Sequence, residues 1–412
     1  MMRILFLTPQ LPYPPHQGTA MRNYGLMRGL AERHQVSLLS FLEPKQSLEA
    51  AAPLLALCHK VETVPAPPLR SLARRARDTL THRLPDMGLR LASPALARQL
   101  AGWLARESFD VVHVEGIEMA PYLDLLHDVP LIVFDDHNCE YALQKSYAQI
   151  DARIPRRLAG ALYSLVQWQK LRRYEAGVCR RAHCVLAVSQ TDAHALRRLV
   201  PGLDVTVIPN GIQTDQYQPA QEAPPHQAPP TLVFSGKMDF RPNVDAVRWF
   251  ADEIWPRVRA AVPEAHFNAV GQRPHRQLDR LRADPSLTLT GWVKDMRPYI
   301  AGATVYIAPL RMGSGTRLKL LEAMSMSKAI VSTRLGAEGL VEPTHDQSAS
   351  APALVVDDND PAAFADAVIT LLRDPARRVA LGATARAFVQ AHYDWRVIIP
   401  RLEALYSKVQ GT

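Results

Sequence analysis

The stretch from Pro309 to Gly339, PLRMGSGTRLKLLEAMSMSKAIVSTRLGAEG, constrains the fold more than any other part of the chain. Its apolar ends predict two buried strands, and the apolar spacing between them predicts a helix from about residue 316 to residue 327. A strand, a loop, a helix and a second strand form the repeating unit of a parallel sheet. The loop between the first strand and the helix contains Gly313, Ser314, Gly315 and Thr316.

The loop and the start of this helix favour an anion. Glycines let the backbone approach a ligand closely, and a helix N-terminus offers unpaired N–H groups at the positive end of its dipole. Arg317 and Lys319 add positive charge there, and Glu322, one turn further on, can accept from sugar or ribose hydroxyls. An ordinary strand–turn–helix with a surface arginine and lysine remains an equal alternative on these residues alone.

Strands alternate with helices in both halves of the chain, which predicts an α/β protein with two Rossmann-like, doubly wound parallel sheets facing across a cleft. A length of 412 residues with 47% apolar residues is enough for two cores. We predict a first domain at 1–212, a linker rich in proline and glutamine at 213–230, and a second domain at 231–391.

The first half contains two further candidate sites at the carboxyl ends of predicted strands, where such sheets bind ligands. The strand Arg3–Thr8 leads into a loop that ends at Gly18 and Thr19. The strand in PLIVFDDHNCEY leads into four polar residues, which include His137. The alternative for His137 is a loop histidine that is hydrogen-bonded by a neighbouring aspartate.

The net charge of +8 is concentrated in two basic bands of the first half, at 69–90 and 153–181. These bands lack the interleaved aromatic residues of RNA-binding surfaces, so we expect no nucleic-acid partner. Anionic lipid, a phosphorylated substrate and a simple solvated face remain open. Without a long apolar run, a convincing signal peptide or CxxC spacing among four cysteines, we expect a cytoplasmic chain with free thiols.

Four segments resemble the retaining glycosyltransferases of GT-B architecture, within family four (group 1). They are VIPNGI, SGKMDFRPN, GWVKDMRPYIAGATVYIAPL and GSGTRLKLLEAMSMSKAIVST. The resemblance covers nearly the whole chain and implies two Rossmann-like domains, with the C-terminal helix at about 392–412 crossing back to the first. More finely, the chain is similar to bacterial sugar transferases of exopolysaccharide gene clusters, including those that accompany exosortases.

The resemblance assigns a role to particular residues of the second half. Lys237 matches the basic residue that meets the donor diphosphate, while the second basic position of the family is Asn243 here, with Arg241 nearby. Glu322 matches the second glutamate of the E-x7-E motif, which binds the ribose, and the first glutamate is replaced by Ser314. Arg317 and Lys319 then take over the missing diphosphate contact.

In the first half, Gly18 and Thr19 match the loop that approaches the donor phosphate, and His137 matches a histidine near the donor sugar. His137, Lys237 and Lys319 are therefore the expected catalytic residues. The remaining donor-binding candidates are Gly18, Thr19, Arg241, Gly313, Ser314, Gly315, Thr316, Arg317 and Glu322.

The implied reaction moves a sugar from a nucleoside-diphosphate sugar to a glycan or polyprenyl-linked acceptor, with retention and without a metal or another cofactor. Such an acceptor predicts contact between the basic helices of the first domain and the anionic inner face of the membrane. Two alternatives remain: a non-catalytic nucleotide-sugar-binding subunit of a polysaccharide synthase, and an epimerase or phosphorylase of the same fold.

Overall fold

The computed structural model describes residues 1–15, 18–44, 46–152, 158–219, 229–313, 317–340 and 351–410. The chain divides into two compact units, one formed by Met1–Asn210 with Ile398–Thr412 and the other by Gly211–Val397. Each unit has its own sheet and its own buried apolar core.

The first unit contains a seven-stranded sheet in the order β3-β2-β1-β4-β5-β6-β7, with every neighbouring pair parallel. Its strands are β1 Arg3–Thr8, β2 Gln35–Leu42, β3 Lys60–Pro65, β4 Val111–Glu115, β5 Leu131–Asp136, β6 Cys184–Ala187 and β7 Val205–Val207. Its α-helices are α1 Gly18–Ala31, α2 Ala52–Leu57, α3 Leu72–Thr81, α4 Asp86–Arg90, α5 Pro94–Leu104, α6 Glu140–Ala152, α7 Leu158–Arg181 and α8 Gln190–Leu199. Short 3-10 helices lie at Glu49–Ala51 and Ala120–Leu125.

The second unit contains a six-stranded sheet in the order β10-β9-β8-β11-β12-β13, again parallel throughout. Its strands are β8 Thr231–Ser235, β9 His266–Val270, β10 Leu287–Leu289, β11 Val305–Ala308, β12 Ile330–Thr333 and β13 Leu354–Val356. Its α-helices are α9 Arg241–Trp249, α10 Trp255–Ala261, α11 Arg297–Gly302, α12 Leu318–Ser325, α13 Pro361–Arg373 and α14 Pro375–His392. A π-helical turn at Phe250–Ile254 joins α9 to α10, a 3-10 helix spans Arg276–Ala283, and α15 Trp395–Gln410 ends the chain.

The two strand orders confirm the predicted fold class, two doubly wound parallel sheets of Rossmann type. In both sheets the first strand lies beside the fourth, so the chain reverses its direction of winding between β1 and β4 and again between β8 and β11. Central strands such as β4, β5 and β11 are buried along their whole length, as expected for a sheet covered on both faces. The loops that follow β1, β4, β8 and β11 lie at these switch points, where doubly wound sheets bind ligands.

The boundary between the units lies at two connections in the chain. The first unit ends at Asn210, and the chain re-enters it within α15, at Ile398 rather than at about residue 392. Residues 393–395 remain with the second unit because the Ile212 amide donates to the Tyr393 carbonyl at 2.8 Å. Of the predicted linker, residues 220–228 lie outside the described residues, whereas its first residues pack within the second unit.

Three helix starts differ from the sequence predictions. Gly18 and Thr19, expected at the end of a loop, are the first residues of α1. Arg241, for which no helix was predicted, opens α9, because the proline that follows it suits the first turn of a helix. Conversely, Arg317 precedes α12 as its N-cap, so only Lys319 lies in the first turn.

Helix α6 was not predicted, and its apolar residues show only weak helical periodicity. Its N-terminus is stabilised from a distant part of the chain. The carboxylate of Glu175 on α7 accepts from the amides of Glu140 and Tyr141 at 2.8 and 2.9 Å.

All four cysteines are buried free thiols. Among the described helices, none combines the length and the apolar character needed to span a bilayer.

Candidate functional site

Lys319 lies at the switch point of the second unit, and its ammonium group has two identified contacts. Its Nζ donates to the Asn243 Oδ1 at 2.9 Å and lies 4.2 Å from the centre of the Phe234 ring. Burial and, to a smaller extent, the nearby charge of Arg317 lower the pKa of Lys319 to about 7, against the opposing effect of Glu322. A lysine with this pKa can be neutral without a ligand and protonated beside an anion.

Asn243 fixes the position of the Lys319 ammonium. Its Nδ2 donates to the Lys237 carbonyl at 2.9 Å, which turns Oδ1 towards Lys319. Gly236, at the end of β8, leaves the space for this pair: a Cβ there would lie 2.7 Å from the Asn243 Nδ2 and 2.8 Å from the Lys319 Nζ. With a φ of +151°, Gly236 also has a backbone conformation that other residues rarely adopt.

Glu322 is the acidic member of the site. Its Oε1 accepts from the Tyr217 hydroxyl at 3.2 Å. Burial raises the pKa of Glu322 to about 7, against the opposing effects of this hydrogen bond and of Lys319. Tyr217 is a site residue that sequence reasoning missed, since its proline- and glutamine-rich surroundings indicated a linker.

The other predicted residues of the second unit have different surroundings. Lys237 is exposed, and its Nζ lies 3.7 Å from the Asp239 carboxylate, so only its backbone carbonyl takes part in the Asn243–Lys319 pair. The Arg317 guanidinium lies over Gly313, where a Cβ would be 3.1 Å from its terminal nitrogen. Gly313 has a φ of +113°, which favours glycine. Ser314, Gly315 and Thr316 lie outside the described residues.

Helix α1 presents its first turn at the switch point of the first unit. Gly18 and Thr19 form that turn, so their N–H groups lie at the positive end of the helix dipole. One turn further, the buried Arg22 side chain donates to both carboxylate oxygens of Asp135, at 2.8 and 3.0 Å. It also donates to the Ile208 carbonyl and to the Asn210 side chain, at 2.9 and 3.2 Å.

Asp135 belongs to a buried ionic network and was not predicted to be paired in this way. The His113 Nε2 lies 3.1 Å from Glu115 and 3.3 Å from Asp135, and its Nδ1 is hydrogen-bonded to the Tyr406 hydroxyl at 2.9 Å. Burial alone would lower the pKa of His113, but the two carboxylates outweigh it and raise the pKa to about 9. The imidazole is therefore protonated at neutral pH. Although the three side chains are close enough to hold a metal ion, each carboxylate already forms an ion pair with His113.

His137 follows β5 directly, at the carboxyl end of the sheet. Its ring lies against Gly116 at the end of β4, where a Cβ would be 2.7 Å from the ring carbon Cε1. Gly116 has a φ of +79°, so the close approach and the backbone conformation both require glycine. His137 thus lies at the carboxyl end of β5, beside the end of β4.

Three acidic residues, Asp136, Glu140 and Glu175, lie close to one another near the carboxyl end of β5. Burial and the neighbouring Glu175 raise the pKa of Asp136 well above its usual value. Burial also raises the pKa of Glu175 to about 7 and that of Glu140 to about 8. Since Glu175 caps the start of α6, this cluster supports the loop that contains His137.

Comparison with known families divides the chain in the same way as the fold. A family model described as Glycosyltransferase Family 4 matches residues 17–216, and one described as Glycosyl transferases group 1 matches residues 229–374. The chain is 29% identical to the phosphatidyl-myo-inositol mannosyltransferase of Mycolicibacterium smegmatis, over 77% of this chain and 76% of that protein.

Two solved structures show the same fold over the whole chain. The sucrose-phosphate synthase of Thermosynechococcus elongatus has a TM-score of 0.70 at 18% identity and covers 99% of both chains. HepE of Anabaena, solved with UDP and glucose, has a TM-score of 0.68 at 14% identity over 99% of this chain and 100% of that one. Together, the two family matches and the two Rossmann-like sheets show that this chain belongs to the group 1, family 4 glycosyltransferases of GT-B fold and is a hexosyltransferase-type enzyme.

Proposed function

We propose that this enzyme transfers a sugar from a nucleoside-diphosphate sugar to a lipid-linked or glycan acceptor, with retention, during assembly of a bacterial surface polysaccharide or exopolysaccharide. The observation that carries the proposal is the Lys319–Asn243 pair beside Glu322. In this arrangement the Lys319 ammonium and the Glu322 carboxylate, which can accept hydrogen bonds from hydroxyl groups, lie one helical turn apart in α12. The mannosyltransferase relative, named for a phosphatidylinositol acceptor, supports the lipid-linked class.

Within this proposal, the donor diphosphate lies at the N-terminus of α12. Negative charge develops on the diphosphate as the bond from the sugar C1 to the phosphate oxygen breaks. Lys319, Arg317 and the first N–H groups of α12 stabilise that charge, while Glu322 accepts from the ribose hydroxyls. Lys237 is exposed and reaches the phosphates only after moving away from Asp239.

Retention follows most simply if the acceptor hydroxyl attacks from the face that the diphosphate leaves. The departing phosphate oxygen then takes the acceptor proton, so no carboxylate nucleophile is needed. His137, Gly18 and Thr19 of the first unit are the proposed contacts to the donor sugar and its phosphates. In this scheme the diphosphate charge is stabilised by side chains and helix N-termini, without a metal ion.

The test is donor binding followed by turnover. A thermal-shift panel of UDP, GDP and their sugars, with EDTA present, should give one clear stabilising ligand, because a ligand that binds only the native state raises its stability. With that donor and a lipid-linked acceptor, the NMR coupling constant of the product's anomeric proton should show the donor's configuration. An inverted product would contradict retention, and a requirement for added metal would contradict the proposed charge stabilisation.

Two other results would point to the alternatives. Turnover of the donor without any acceptor would indicate an epimerase. Donor binding without transfer to any acceptor would favour a non-catalytic subunit, which is the alternative that the serine at position 314 leaves open.

A further inference from the structure

One face of helix α7 is apolar in its first half and basic in its second half. Leu162 and Leu165 are 64% and 46% exposed, which is unusual for large apolar side chains in such a helix. Residues spaced three or four apart continue the same face of the helix: Gln169, Arg172, Arg173, Ala176 and Arg180. The leucines of the first half and the arginines of the second half therefore lie on the same side of α7.

The basic half of this face lines a pocket. Its volume is about 410 Å³, and α8 closes one side of it with Leu199. Arg172, Arg173 and Arg180 are exposed, and no carboxylate of the described residues lies within ion-pair distance of any of them. Other arginines of this unit are neutralised, for example Arg181 by Asp124. Three guanidinium groups around one concave surface are suited to a phosphate, because a guanidinium can donate two parallel hydrogen bonds to a pair of phosphate oxygens.

The surroundings of the pocket favour a lipid over other phosphate ligands. None of the described residues that line the pocket is aromatic, so a nucleic-acid base would find no aromatic ring among them to stack on. Helix α3, which packs against α7 through the Thr79–Gln167 hydrogen bond, buries none of its residues. Two leucines of α3 and one that lies three residues before the helix are 80–90% exposed: Leu72, Leu80 and Leu69.

We propose that the α7–α8 pocket binds the phosphate of an anionic phospholipid, while Leu162 and Leu165 enter the upper acyl region. Leu165 and Arg172 are seven residues apart, or about 10 Å along a helix. That separation matches the depth of about 5–10 Å to which interfacial helices bury their apolar face, if α7 enters the membrane at a tilt with its leucine end deeper. This inference rests on the proposed function in one respect: a lipid-linked acceptor requires the first unit to work at a membrane.

The test compares vesicle binding by the full-length enzyme and three variants. Vesicles of phosphatidylcholine alone and of phosphatidylcholine with phosphatidylglycerol are sedimented with each protein at low and high salt. The first variant carries Arg172→Gln, Arg173→Gln and Arg180→Gln, and the second carries Leu162→Ser and Leu165→Ser. The third is the matched control, which removes three exposed arginines of the second unit through Arg257→Gln, Arg276→Gln and Arg282→Gln.

Wild-type enzyme and the control should bind the anionic vesicles in a salt-dependent way. The arginine variant should bind on the order of a hundredfold more weakly, because each surface-near arginine contributes about 1 kcal/mol. The leucine variant should also bind more weakly but should keep the salt dependence. Equal binding by the arginine variant and the control, or no preference of the wild-type enzyme for anionic vesicles, would overturn the proposal.

Two further measurements separate this inference from the function itself. Thermal shift of each variant with the identified nucleotide sugar should equal that of wild type, since the pocket lies outside the donor site; loss of donor binding only in the arginine variant would overturn the assignment to lipid. Titration with inorganic phosphate distinguishes the source of the anion. Tight binding of free phosphate, without vesicle binding, would replace the lipid by a soluble phosphate ligand and so overturn the proposal.

Discussion

Replacing Lys319 by methionine should stabilise the ligand-free enzyme and weaken donor binding. The pKa of Lys319 falls from 10.5 to about 7, and each pKa unit corresponds to about 1.4 kcal/mol. Burial of this lysine therefore costs up to about 4–5 kcal/mol at pH 7. Methionine removes that cost but leaves the Asn243 Oδ1 without its donor, which costs about 1–3 kcal/mol. A net gain of roughly 2 kcal/mol in the free energy of unfolding is expected.

The gain should depend on pH in a direction that follows from the lowered pKa. Below pH 7 the lysine is protonated in both the folded and the unfolded protein, so its full destabilising effect is present. Between pH 7 and 10.5 only the unfolded protein holds the proton, and wild-type stability therefore rises with pH. The advantage of Lys319→Met should shrink over that range in urea unfolding measured by tryptophan fluorescence.

The donor affinity of the same variant tests the function of the ammonium group. A hydrogen bond from a charged group contributes about 1.5–3 kcal/mol, so Lys319→Met should bind the nucleotide sugar roughly ten- to a hundredfold more weakly in calorimetry. Wild-type affinity should fall as the pH rises above 7, because binding then requires uptake of a proton by Lys319. The variant should lack this dependence.

Lys328→Met provides the matched control. Burial lowers the pKa of Lys328 to about 8, but its ammonium donates to the carbonyls of Ala301 and Ala303 rather than to a site residue. Its removal leaves two carbonyls without a donor, so we expect no gain in stability and unchanged donor affinity. If Lys319→Met instead loses stability and binds the donor as tightly as wild type, Lys319 has a structural role and the reasoning is refuted.

Three further substitutions test other parts of the two units. Glu322→Gln should weaken nucleotide binding roughly tenfold in calorimetry, because a ribose hydroxyl loses a charged acceptor, and unchanged affinity would exclude it from the ribose contact. Gly236→Ala should lower both the melting temperature and donor affinity, whereas Gly302→Ala, where a Cβ meets nothing within 4 Å, should change neither; equal effects would contradict the steric argument. Arg22→Met leaves two buried carboxylates, Asp135 and Glu115, with the single positive charge of His113, and should lower the free energy of unfolding by roughly 3–5 kcal/mol; a melting temperature equal to that of wild type would show that the network relaxes.

Much of the fold could be predicted because its strands are local apolar patterns. RILFLT, for example, forms a strand at the predicted residues, Arg3–Thr8. Helix α6 could not be predicted in this way, since its first amides are capped by Glu175, about 35 residues further along the chain. Local periodicity contains no information about a partner at that distance.

The site shows the same limit more clearly. The sequence identified Lys319 and Glu322 from their place in a motif, but their partners are distant: Asn243 lies 76 residues and Tyr217 lies 105 residues before them. The composition around Tyr217 indicated a linker, because a high content of proline and glutamine does not reveal that the Tyr217 hydroxyl donates to Glu322. The hydrogen bonds of buried polar groups are decided by tertiary structure, and a single sequence does not record them.

The Asn243–Lys319 pair suggests why this enzyme lacks the family's second basic residue after Lys237. An ammonium from α12 occupies the space beside Gly236 and is held by the amide at the position where the family has its own cation. In the proposed donor site, one positive charge has moved from α9 to α12. At its new place the charge is opposed by burial and by Arg317, which lower the pKa of Lys319 to about 7. A bound diphosphate reverses that balance, so the site acquires its full charge only when the donor is present.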